Sequence, residues 1–186
     1  MVVARPTDST SADAVAVVTG GSWGAGRELA CKLANRWYAV VVVYLRDQRA
    51  AEAVVEEILA AKRTAVAVRA DITDELDVER LFDESTAAFG GVDVVVHAAR
   101  RGAAVINQQA ANRLRRGGAI VSVSSTDAIP PALAAALCAR DITVNGLAPG
   151  VEPPGADHDV EELIALLDRW RHGRGVLTRT GVGSVS

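Results

Sequence analysis

The chain has 186 residues, 49% of them apolar and 23% charged, with a net charge of −3. This is the size and balance of a single globular domain able to bury a sizeable core. The near-neutral charge offers no electrostatic basis for nucleic acid or an acidic membrane as a partner.

Six apolar segments follow one another along the chain: "AVAVVT" (14–19), "AVVVVYL" (39–45), "TAVAVRA" (64–70), "VDVVVHA" (92–98), "AIVSVSS" (119–125) and "ITVNGLA" (142–148). They are Val-rich and mostly continuous, as strands buried on both faces of a parallel sheet are. Helical spacing appears between them. Leu29, Leu33 and Ala34 mark one helix and Val54, Ile58 and Leu59 a second. Val78, Leu81, Phe82, Ser85 and Phe89 mark a third, stopped by Gly90 and Gly91. Alternating strands and helices with short connections predict an α/β fold: a Rossmann-like, doubly wound parallel sheet of about six strands between two helical layers. Right-handed crossovers give the strand order 3-2-1-4-5-6.

A last helix is predicted over 159–171, where Val160, Leu163, Ile164, Leu167 and Trp170 share a face. Acidic residues crowd its start, and Arg169, Arg171 and His172 its end, which suits the helix dipole. The organisation expected is a flexible start over 1–13, one domain over 14–172 and a flexible end over 173–186. Cys31 and Cys138 lie in apolar helical surroundings without ligand-spaced neighbours, so they read as core thiols, and no metal site is expected. The first residues lack a secretory apolar stretch and the longest apolar run, 39–45, is too short to span a bilayer. The expectation is a cytoplasmic protein without membrane contact.

Between the first strand and first helix lies "TGGSWGAG" (19–26). Backbone N–H groups and the positive helix end at such a junction point at an incoming phosphate, and a dinucleotide is the natural ligand. Gly20 would make the tight turn, Gly24 would let the pyrophosphate approach, and Gly26 would allow close packing behind the loop. The alternative is a glycine-rich turn that holds no cofactor.

The loop is similar to the TGxxxGxG loop of the short-chain dehydrogenases/reductases, and further motifs match that family in order. "ADITD" (70–74) resembles the segment whose aspartate, here Asp71, contacts adenine, with Ile72 beside it. "HAAR" (97–100) stands in the place of the NNAG motif, "IVSVSS" (120–125) in that of the catalytic-serine strand, and "ITVNGLAPG" (142–150) in that of the cofactor-facing PG loop. The resemblance implies cofactor contacts from Thr19, Gly20, Ser22, Trp23, Gly24, Gly26, Asp71, Ile72, His97, Ala98, Ala99, Pro149 and Gly150, and a carbonyl-orienting role for Ser125. Arg46 follows the second strand, where the chain meets the adenosine 2′ position, and no acidic residue precedes it to hold a free 2′-hydroxyl. That favours NADP(H) over NAD(H). Trp23, where NADP-preferring members often carry a basic residue, argues the other way. For His97 and Arg46 the plainer alternatives are a structural histidine and a solvated charge.

The family's catalytic tyrosine, with its lysine four residues on, has no counterpart. The only tyrosines are Tyr38 and Tyr44 and the only lysines Lys32 and Lys62; between Ser125 and Ile142 stands "TDAIPPALAAALCARD". A second contraction leaves one helix, not two, after Ala99, and Asn107 is a poor match for the tetrad asparagine. Three readings stay open: an oxidoreductase acting on an unknown small molecule, a catalytically impaired homologue with a regulatory or scaffolding role, and a non-redox isomerase or cyclase. Because the helices through which the family dimerises are shortened, the expected homo-oligomer has an altered interface.

Overall fold

A computed structural model describes residues 3–4, 14–123, 130–146, 160–161, 163–165 and 167–168. In chain order the elements are β1 (Val3–Ala4), β2 (Ala14–Thr19), α1 (Gly24–Asn35), β3 (Tyr38–Tyr44), α2 (Gln48–Ala60), β4 (Ala65–Arg69), α3 (Glu75–Phe89) and β5 (Val92–His97). There follow α4 (Ala103–Arg113), β6 (Leu114–Ser122), α5 (Pro131–Ala139) and β7 (Thr143–Gly146). The six predicted strands are β2 to β7. They form one parallel sheet in the order β4-β3-β2-β5-β6-β7, the doubly wound arrangement expected from the sequence. A further two-residue strand, β1, joins antiparallel to the edge of β4, pairing Val3 with Val66. It lies in the stretch read as a flexible start.

Alternation along the Val-rich strands supplies two cores at once. Ala16, Val18, Val40, Val42, Val94 and Val96 point to α1, α2 and the segment holding Val160, Leu163, Ile164 and Leu167. Val15, Val17, Val41, Val66, Val95 and Ile120 point to α3, α4 and α5. Three layers result. The segment around 160–168 is also tied to α1 by Lys32, whose Nζ contacts Glu161 at 2.6 Å, and by an ion pair between Arg36 and Asp168. Trp170 lies outside the described residues.

Local signals account for the ends of the helices. Asp47 and Asp74 cap α2 and α3, accepting the backbone N–H of Ala50 and Asp77, and Gly90 closes α3 at φ 80° in the left-handed region that glycine favours. The strand expected from the apolar run 119–125 starts earlier, because "RRGG" (115–118) already belongs to β6: it begins at Leu114, opposite Val92, and its register shifts before Val94 meets Ala119. Glycine permits the irregularity: Gly117 has φ 77°, and a Cβ on Gly118 would stand 2.7 Å from the Asp93 carbonyl oxygen. Cys138 is exposed rather than a core thiol, and Cys31 is only half-buried. In α5 every residue is apolar, so periodicity could not mark the buried side; the sheet covers Leu133 and Leu137 alone.

Candidate nucleotide site

On either side of β2 the chain crosses over in opposite directions, and the loops beyond the strand ends part to leave a crevice. A cavity of about 510 Å³ opens there. Gly20, Ser22 and Trp23 line it from the β2–α1 loop, Tyr44 to Asp47 from the end of β3, Ala70 to Thr73 from the end of β4, and Ala99 to Arg101 from the end of β5.

The glycine loop forms one wall. Gly20 turns at φ 67°, and a Cβ there would touch the Ala98 and Ala99 backbone at 3.3 Å, so the loop presses on the end of β5. A Cβ on Gly26 would stand 2.2 Å from the Gly20 carbonyl oxygen. Only a glycine lets α1 start so close behind the turn. Gly24 differs: its φ is 55°, and a Cβ there would meet nothing within 4 Å. Trp23 precedes α1 in extended conformation without a side-chain cap, and the first turn carries no acidic residue. Uncapped N–H groups, the positive helix end and an open glycine face together suit a phosphate.

The opposite wall is polar. Asp71 accepts the backbone N–H and the hydroxyl of Thr73 at 3.0 and 2.6 Å on Oδ1. Those two bonds, with a smaller contribution from the Arg46 and Arg69 charges, hold its carboxyl below the usual range. Its own N–H is held by Asp77 Oδ2 at 2.8 Å, which fixes the loop. The second oxygen of Asp71 makes no hydrogen bond among the described residues, so this wall can accept an N–H donor from a ligand.

The structure thus brings Gly20, Ser22, Trp23, Arg46, Asp71, Ile72 and Ala99 to one cavity. Thr19, Gly24, Gly26, His97 and Ala98 do not line it. His97 and Thr19 are fully buried, with Thr19 Oγ1 2.8 Å from His97 Nδ1, so this pair joins the ends of β2 and β5 beneath the loops. Ser125, Pro149 and Gly150 lie outside the described residues. Sequence reasoning missed Val43, Tyr44, Leu45, Asp47, Ala70, Thr73, Arg100 and Arg101 as lining residues. Arg100 ends the "HAAR" motif and Arg101 follows it, and the signal available was their place just beyond a strand end.

Fold and crevice define a doubly wound, Rossmann-like α/β class of protein. The chain belongs to the short-chain dehydrogenase family, whose model matches residues 14–115. It is 42% identical over 96 residues to the hydroxynaphthalene reductase-like protein Arp2 of Metarhizium guizhouense, an alignment covering 52% of this chain and 36% of that protein. The chain therefore spans about a third of the length of that curated relative. It is 33% identical to an uncharacterised oxidoreductase of Methylorubrum extorquens over 73% of this chain and 72% of that one. A crystal structure of a short chain dehydrogenase from Burkholderia cenocepacia in complex with NADP is 29% identical, with a TM-score of 0.59 over 83% of this chain and 81% of that one. The family typically binds nicotinamide dinucleotides together with small-molecule substrates. Among the described residues no helix is long and apolar enough to cross a membrane, and no cluster of side chains could hold a metal ion.

Proposed function

We propose that the chain binds a nicotinamide dinucleotide, NADP(H) over NAD(H), and is a poor reductase because its reaction centre is incomplete. The observation that carries the first half is the glycine loop. Its open Gly24 and uncapped α1 suit the pyrophosphate, Asp71 offers an acceptor to the adenine amino group, and Arg46 supplies a cation at the ribose side. When bound, the dinucleotide supplies the hydride for carbonyl reduction. The family resemblance assigns Pro149 and Gly150 to the same cofactor, and both lie outside the described residues.

The second half rests on which acids the chain can offer. A ketone also needs a proton at its oxygen, and positioned proton transfer is typically worth about 10²–10⁴ in rate. Tyr38 is buried at the start of β3, and Tyr44 lines the cavity at its end. From β3 to the end of β6 is three strand spacings, about 14 Å, too far for Tyr44 to protonate a substrate there. Lys32 is held by Glu28 and Glu161 on the outside of α1. Ser125 can orient a carbonyl, but its hydroxyl is too weak an acid to replace tyrosine.

The missing acid equally favours the second reading, a catalytically impaired homologue that binds the nucleotide for a regulatory or scaffolding purpose. Exposed apolar surface on α5 supports self-association through an altered interface, which light scattering would reveal. Calorimetric titration with NADPH and NADH, followed by a hydride-transfer assay on a panel of ketones, separates the readings. NADPH binding with slow turnover that Ser125→Ala reduces further supports the reductase. Binding alone supports the homologue. Gly24→Val should abolish binding, and failure of both dinucleotides to bind at millimolar concentration would refute the proposal.

A further inference from the structure

We draw no further inference here: the strongest candidate, the apolar outer face of α5 with its exposed alanines and Cys138, carries none because nothing among the described residues shows what covers it, and a second copy seated there is already part of the proposed function.

Discussion

Replacing Gly26 by alanine puts a methyl group into the tightest backbone contact of the glycine loop. The added Cβ would lie 2.2 Å from the Gly20 carbonyl oxygen and 2.8 Å from its carbon. Because the obstacle is backbone, no side chain can swing aside, and either the turn or the start of α1 must move by most of an ångström. Overpacking of this kind costs roughly 1–3 kcal/mol, and a rigid neighbour puts the cost near the top of that range. Alanine regains about 1 kcal/mol through its helix propensity. The expected net loss is about 2 kcal/mol, a fall of roughly 4–8 °C in Tm for a chain of this size. Thermal and urea unfolding followed by circular dichroism would measure it. A variant as stable as the parent, or more stable, would refute the claim that the close approach of α1 to the Gly20 turn requires glycine.

Thr19→Val keeps the shape of the buried side chain but removes the hydroxyl that meets His97 Nδ1, and should cost about 1–3 kcal/mol in urea unfolding; no measurable loss would show that the pair does not bind the strand ends together. Burial, with Glu57 nearby, pushes the Cys31 thiol up to about 11, whereas Cys138 is exposed. Iodoacetamide near neutral pH should therefore modify Cys138 well before Cys31 by mass spectrometry, and equal rates would contradict this. Hydrogen bonds from Lys32 to Glu161 and Glu28 push its pKa from 10.5 up to about 12, so the stabilisation it gives is complete below about pH 10.5 and lost as pH rises through 12. The difference in Tm between the parent and Lys32→Met should hold steady from neutral pH to about 10 and shrink towards 12; a difference that persists at pH 12 would reject the link between α1 and the 160–168 segment.

The order of the sheet could be read from the chain because each determinant is local. A Val-rich run buried on both faces, a helical stripe of the right spacing and a short connection specify a parallel crossover wherever they occur, and its handedness does the rest. The predicted strand at 14–19 is β2 residue for residue, and Gly90 closes α3 where the pattern stopped. Gly20 and Gly26 were legible for the same reason: a glycine at a strand-to-helix junction announces a close approach before the approaching atoms are known.

What only the tertiary structure decided depends on residues distant in sequence. The bend that takes "RRGG" into β6 exists because Asp93 and Val92 lie alongside, and nothing near Gly117 announces it. Exposure of Cys138 follows from how far the sheet reaches over α5, which has no polar side to orient it. His97 occupied a motif position facing a ligand, yet its partner is Thr19, 78 residues away, and the pair is buried below the cavity. The gathering of Arg46 with Arg100 and Arg101 is of this kind too. In the sequence they are charges after separate strands; the switch in winding on either side of β2 carries both strand ends to one crevice.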